Sequence, residues 1–248
     1  MDWQKVIGCN PDEFCDRLYA TRPDWIRGAI SHYDARYLFC RALEAGTGTA
    51  IEIGTASGLS TAFLCHALRF AAETGLISSD FRVVSYDISP VFYVDDSRSV
   101  GDATRDMLDP TLLEHVVFRN PAGAREVAAE HAPDSIEFMF IDANHAHPWP
   151  TLDMLTSLEC LAPGAEVVLH DVGLPARGGA HAEAGAMYLF SGLSVEKVLD
   201  EGDKSPNIGS VVVPDDKQEF RVELQRIVAA HEWETEVRPG VVGSLLQA

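Results

Sequence analysis

Three side chains in the second half of the chain have the chemistry of a metal site. Asp142 lies in the run Phe140-Ile141-Asp142-Ala143-Asn144-His145, and His170-Asp171 follow Val167-Val168-Leu169. Each group ends a short apolar stretch where a strand should stop. Asp142, His170 and Asp171 can therefore converge at one sheet edge although nearly thirty residues separate them, because open α/β sheets bind ligands at the ends of their strands. Two carboxylates and an imidazole form a hard, oxygen-rich set with open positions. That set suits Mg2+ or Mn2+ that retains waters or chelates a diol. For His170 alone, a hydrogen-bonded histidine at a strand end is an equal alternative. Asp171 is harder to dismiss, because a strand-end acid needs a partner or solvent.

A second constellation comes earlier. Glu52-Ile53-Gly54-Thr55-Ala56-Ser57-Gly58 joins a strand to a helix. A glycine at the strand end lets the backbone turn tightly, and one at the helix start lets a ligand come close. Free N–H groups at that helix terminus suit an anionic or carboxylate group. The run is not G-x-G-x-x-G: Ala56 takes the place of the middle glycine and the third is missing, which disfavours a dinucleotide pyrophosphate. Asp87 closes the following strand, where an acid can accept both ribose hydroxyls of an adenosine.

The blocks IEIGTASGLSTAFL and VVSYD resemble the first two motifs of the class I S-adenosylmethionine-dependent methyltransferases. The similarity is greatest to the metal-dependent small-molecule O-methyltransferases typified by catechol O-methyltransferase, whose first motif has the form E-x-G-x-x-x-G-x-S. It spans roughly Ala50 to Val172. The resemblance implies that Gly54, Thr55 and Gly58 line the methionine end of the cofactor, with Glu52, Ala56 and Ser60 in the same motif. It places Asp87 on the ribose, Ala122, Gly123 and Ala124 near the adenine, and Asp142 at both cofactor and metal.

Catechol-type enzymes carry a lysine base three residues after the fourth-strand aspartate. Here that position is His145, which resembles the D-x-x-H of macrolide-sugar O-methyltransferases, a metal-binding Asp paired with a general-base His. The catechol family's fifth-strand Asp-Asn reads His170-Asp171 here, which leaves the identity of the metal open. The implied reaction is metal-assisted methyl transfer to a hydroxyl of a small molecule, preferably a sugar or polyhydroxylated natural product. An imidazole can deprotonate a hydroxyl that a metal has already acidified. His147, Pro148 and Trp149 either shape an acceptor pocket or pack a loop. Gly173 to His181, rich in glycine, reads as a lid. Tyr93, Asp95, Asp96 and Arg98 form either a second acceptor-facing loop or a solvated connection.

Other classes remain in view. An NAD-dependent sugar-nucleotide enzyme is opposed by the missing glycines and by the absence of a Tyr-x-x-x-Lys pair. A non-catalytic adenosyl-cofactor binder would not need Asp142, His145 and Asp171 together. A cephalosporin-hydroxylase-like relative of the same fold is poorly separated by sequence.

The elements that must position these groups follow from periodicity. Apolar runs at Thr49–Gly54, Phe81–Asp87, His115–Arg119, Ser135–Asp142 and Glu166–His170 read as strands. A helix from about Gly58 to Glu73 repeats apolar residues every three or four positions, and another from about Pro150 to Leu161 is stopped by Pro163-Gly164. Continuous apolar strands alternating with helices predict a doubly wound, mostly parallel seven-stranded α/β sheet of Rossmann-like type. Val195–Leu199 and Ile208–Val213 are joined by a loop too short for a crossover helix, so they should form an antiparallel hairpin at one edge. Pro214 should start the last helix. Residues 1–48 read as a helical extension and 49–248 as the catalytic domain.

Composition narrows the partners. Among 248 residues, Asp plus Glu number 38 against 19 Lys plus Arg, a formal charge of -19. That disfavours a nucleic-acid or anionic-membrane surface without bearing on the reaction. Hydrophobic residues make up 46% and charged ones 23%, which is ordinary for a globular chain. Five scattered cysteines without Cys-x-x-Cys spacing fit reduced thiols. With no signal-peptide pattern or membrane-length apolar run, a cytoplasmic location is expected. The resemblance also makes a homo-oligomer plausible.

Overall fold

The structure, a computed structural model, describes residues 10–177, 183–200, 202 and 204–233. Seven strands form one mostly parallel sheet, in the order Val116–Arg119, Arg82–Tyr86, Thr49–Ile53, Ile136–Ile141, Leu161–His170, Ile208–Val212 and Lys197–Leu199, and a separate hairpin pairs Val91–Phe92 with Asp95–Ser99. This is the expected α/β architecture with an antiparallel edge. The chain divides into two compact units, Met1–Gly123 and Ala124–Ala248.

The first unit opens with two helices, α1 (Pro11–Ala20) and α2 (His32–Ala45). Asn10 caps α1, Pro11 occupies its first turn, and Ser31 with Asp34 closes a capping box on α2. These side chains satisfy the orphan N–H groups of each first turn. The strands β1 (Thr49–Ile53), β2 (Arg82–Tyr86) and β5 (Val116–Arg119) run parallel, with Ile53 opposite Tyr86 and Ser85 opposite Phe118. Helix α3 (Leu59–Glu73) is buried almost all round, from Leu59 to Leu68 without a break. Short helices α4 (Asp102–Met107) and α5 (Pro110–Leu113) complete the unit.

The hairpin of β3 (Val91–Phe92) and β4 (Asp95–Ser99) occupies the segment read as a loop. Its second strand, Asp-Asp-Ser-Arg-Ser, has no apolar alternation and carried no strand signal. Tertiary contacts hold it instead. Phe92 is buried with its ring 5.8 Å from Trp25, Arg98 lies 4.7 Å over the Trp25 ring, and the Tyr93 hydroxyl donates to Gly28 O at 2.9 Å.

The second unit contains helices α6 (Ala124–Glu130), α7 (Trp149–Ser157), α8 (Gly185–Gly192) and α9 (Lys217–Ala230) around β6 (Ile136–Ile141), β7 (Leu161–His170), β8 (Lys197–Leu199) and β9 (Ile208–Val212). Strand β6 pairs parallel with β7, and β9 pairs antiparallel with both β7 and β8. Two boundaries differ from expectation. Helix α7 ends at Ser157, and Pro163-Gly164 lies inside β7 instead of stopping a helix. The register slips between Ile136↔Leu161 and Phe138↔Glu166, so this stretch needs no regular ladder donor and tolerates proline, while Gly164 takes φ +80. Helix α9 starts at Lys217, not Pro214, because Asp216 caps it by accepting from Glu219 N. Residues 1–9 and 234–248 of the expected domains lie outside the described residues. Among the described residues no helix is long and apolar enough to cross a membrane.

Candidate cofactor loop and candidate metal centre

In the first unit, β1 runs into the glycine loop, where Gly54 N donates to Tyr86 O at 2.8 Å. Gly54, Ala56 and Gly58 all take positive φ, +99, +46 and +87. The loop carbonyls are held from the start of α4. Gly101 N donates to Ala56 O at 3.0 Å, Ala103 N to Ser57 O at 2.8 Å, and Thr104 Oγ1 to Gly58 O at 2.6 Å. A Cβ on Gly58 would meet Thr104 Oγ1 at 2.2 Å and Gly101 Cα at 2.8 Å. The glycine is therefore required by the fold itself. We expect Gly58→Ala to cost at least about 2 kcal/mol in left-handed strain and collision. A thermal melt should show that as a fall of about 4–8 °C for a chain of this size.

Glu52 is fully buried, and its carboxylate accepts from Ser60 Oγ, from Thr61 Oγ1 at 2.5 Å and from Ser85 Oγ. Thr55 Oγ1 lies 2.5 Å from Ser85 Oγ and donates to it, since the Ser85 proton goes to Glu52. The structure thus turns Glu52, Ser60 and the Thr55 hydroxyl inward, where they brace the loop. Hydrogen bonds to charged groups are worth about 1.5–3 kcal/mol each. Glu52→Gln replaces the charge with an amide that accepts at one end only, and should destabilise by about 3 kcal/mol in denaturant titration.

Asp87, just past β2, is half-buried. Its Oδ2 accepts from Thr55 N at 3.1 Å and Ala56 N at 2.9 Å, and its Oδ1 from Ser89 N at 2.9 Å. Ala122 N donates to Asp87 O at 2.7 Å, and a Cβ on Gly123 would lie 3.5 Å from Ile88 Cγ2. Asp87, Ala122 and Gly123 are thus neighbours. Ala124 is buried at the start of α6 in the second unit.

In the second unit, Asp142 follows β6, His170 ends β7, and Asp171 turns away with φ +62. One ligand atom from each of these three lies within 4.8 Å of the other two. His170 Nδ1 is 3.0 Å from Asp142 Oδ1 and 3.4 Å from Asp171 Oδ1. His145 bridges the two acids, with Nδ1 2.9 Å from Asp171 Oδ2 and Nε2 3.3 Å from Asp142 Oδ1. Asn207, absent from the sequence reading, joins them by donating Nδ2 to Asp171 Oδ1 at 2.6 Å. Its only sequence signal was position, one residue before the returning strand, and register decides the rest because Ile208 pairs with His170.

The electrostatics are those of a dianionic site. Burial opposes ionisation of Asp142, yet His170 and His145 beside it bring its carboxyl down to about 2. Burial likewise opposes Asp171, whose hydrogen bonds from His145 and His170 hold it far below the usual carboxylate range. Burial disfavours charge on His145, but Asp142 and Asp171 outweigh it and raise the imidazole to about 10. The folded value lies above the ordinary 6.5, so the stability from His145 is complete below 6.5 and fades as pH rises through about 10. The Asp142 contribution runs the other way and fades as pH falls from 3.8 through about 2. In EDTA, imidazole NMR resonances of His145 should therefore stay in the protonated position past pH 8.

Two carboxylates, an imidazole and a buried amide whose Oδ1 has no hydrogen-bond partner fit a hard divalent cation. The other nominated groups lie elsewhere. His147 is fully buried, its Nε2 3.3 Å from Val228 O and its ring against Tyr188 and His231, so it packs the unit's interior. Trp149 begins α7. Of the expected lid, Leu174–Arg177 forms a 3-10 turn and 178–181 lie outside the described residues.

Comparison with known proteins bears on the domain and its fold. Residues 51–172 match a family model described as a methyltransferase domain. An O-methyltransferase from Bacillus cereus in complex with SAH is 17% identical, covering 84% of this chain and 94% of that one, with a TM-score of 0.52. TomG, an O-methyltransferase from Streptomyces achromogenes involved in tomaymycin synthesis and solved with SAM, is 18% identical over 85% of this chain and 94% of its own, TM-score 0.51. SAH-bound methyltransferase PaMTH1 from Podospora anserina is 13% identical over 83% and 88%, TM-score 0.53. At these identities the likeness to solved structures is one of fold. No curated protein matches the chain. Fold and glycine loop define a class I methyltransferase domain. The matched segment contains Glu52, Gly58, Asp87, Asp142 and Asp171, and the chain carries a methyltransferase domain over these residues.

Proposed function

We propose that the chain methylates a hydroxyl of a small polyhydroxylated molecule, with a divalent cation at Asp142, His170 and Asp171 and His145 as general base. The observation that carries this reading is His145 held between two carboxylates, each 3.3 Å or less from a ring nitrogen. S-adenosylmethionine supplies the methyl group, and a cation at these acids would acidify and orient the acceptor hydroxyl.

The chain's own residues do the rest. The left-handed turns at Gly54, Ala56 and Gly58 shape the loop that would receive the methionine end, while Asp87 offers its remaining lone pairs to the ribose hydroxyls. Glu52, Ser60 and Thr55 keep that loop in shape. At a pKa of about 10, His145 is protonated at neutral pH and cannot act as a base. Neutralising Asp142 and Asp171 removes the charge that holds its proton, and the imidazole returns toward the range where it accepts one.

A sugar-like acceptor is preferred because an imidazole base with a chelating site suits vicinal hydroxyls, and the charge of -19 disfavours a nucleic acid. The test is a panel of sugars, polyols and catechols incubated with S-adenosylmethionine and Mg2+, with products read by mass spectrometry. Methyl ethers that disappear in EDTA support the reading. Methyl transfer indifferent to EDTA removes the cation from it, and absence of S-adenosylhomocysteine binding by calorimetry removes it altogether.

A further inference from the structure

Asn207 stands outside the Asp142, His170 and Asp171 set, yet it is built into the same cluster. The antiparallel ladder fixes its backbone: Ile208 pairs with His170, and Val172 N donates to Asn207 O at 3.1 Å. Its neighbour Pro206 sits so close to Gly173 that a Cβ there would lie 2.2 Å from Pro206 O. The residue is only 5% exposed. Its Nδ2 donates to Asp171 Oδ1 at 2.6 Å and lies 3.5 Å from His170 Nε2.

The orientation of this amide follows from chemistry. An ionised carboxylate only accepts, so the NH2 end must face Asp171 and the carbonyl end must point elsewhere. That carbonyl, Asn207 Oδ1, is buried and has no hydrogen-bond partner. A buried unpaired acceptor is destabilising, a cost sustained most simply where a ligand completes it. Oxygen and nitrogen share one planar carboxamide, so Oδ1 lies no more than that group's span further from Asp171 than Nδ2 does.

We propose that Asn207 Oδ1 is a neutral fourth ligand for the divalent cation, supplied from the returning edge strand. The inference rests on the cation reading given above. Asp142 and Asp171 already balance a dication, so a neutral carbonyl raises the number of ligands without adding charge, and hard cations accept side-chain amide oxygens. Asn207 thereby does two jobs, orienting Asp171 through Nδ2 and ligating through Oδ1.

The test is Mn2+ titration of the full chain by electron paramagnetic resonance, reading loss of the free-ion signal. Wild type, Asn207→Ala, Asn207→Asp and Asp142→Ala are compared, with S-adenosylhomocysteine affinity measured in EDTA as the control for folding. We expect Asn207→Ala to bind Mn2+ about tenfold to a hundredfold more weakly. Asn207→Asp, which keeps an oxygen at the position and adds charge, should bind at least as tightly as wild type, with cofactor affinity unchanged in both. If Asn207 only held Asp171 in place, Asn207→Asp would be the weaker of the two, because it sets a second carboxylate against the first. That order, or unchanged binding in Asn207→Ala while Asp142→Ala loses it, overturns the proposal and leaves the cation site standing. A wild-type protein that takes up no Mn2+ overturns both.

Discussion

Replacing His145 with alanine should lower turnover by about 10²–10⁴-fold, the usual contribution of a positioned general base, and leave S-adenosylhomocysteine affinity where it was. The imidazole touches Asp142 and Asp171, the acids of the candidate metal centre, so its loss belongs in kcat. Its removal also deletes the cation that occupies the two carboxylates in the metal-free protein. Mn2+ then no longer competes with an imidazolium, and its affinity should hold or rise. The two readouts separate a base from a metal ligand, since a ligand variant loses metal affinity and turnover together. The pH profile gives a third check: the limb of kcat that rises with deprotonation of the base should vanish in the variant. Turnover within a factor of a few of wild type on a true acceptor would remove His145 from the mechanism.

The second large effect is expected at Asp87, on the side of binding. On the proposed reading Asp87 makes two charge-assisted bonds to ribose hydroxyls at about 1.5–3 kcal/mol each, so Asp87→Ala should bind cofactor roughly 10²–10⁴-fold more weakly by calorimetry. The loss has a second source, since the same carboxylate holds Thr55 N and Ala56 N. Without it the loop loses the acceptor that stabilises two adjacent N–H groups. Asp87→Asn separates the two. The amide oxygen can still accept from the loop or from one hydroxyl, so this variant should fall between alanine and wild type, with Mn2+ affinity unchanged in both. An Asp87→Ala protein that binds S-adenosylhomocysteine normally would show that the acid serves the loop alone.

Much of the fold was legible because the central strands are apolar on both faces. Ile51, Val83, Phe138, Met139, Val167 and Val168 are all fully buried, and such runs announce a covered parallel sheet. The C-terminal hairpin was legible from the shortness of its connecting loop. The polar strand β4 was not, since Asp95 to Ser99 pair with β3 through backbone atoms and carry no periodic signal. Nor was the start of β7, where a register slip hides Pro163 and Gly164 inside a strand. The site divides in the same way. Asp142, His170 and Asp171 were legible as polar groups ending apolar runs, whereas Asn207 entered only through pairing of β9 with β7.

The sequence by itself determined which chemistry is present: a glycine loop followed by an acid, and a carboxylate-histidine pair at each of two strand ends. Local spacing carries such information, because a turn, a strand end or a motif is specified by a handful of consecutive residues. Only the tertiary structure decided what each group faces. It turned Glu52 and Ser60 inward onto each other's polar atoms, placed His145 between two acids that shift its proton affinity in opposition to burial, and brought Asn207 from a distant strand against Asp171. Those outcomes depend on register and burial. Both are properties of the packed chain, and spacing along it does not encode them.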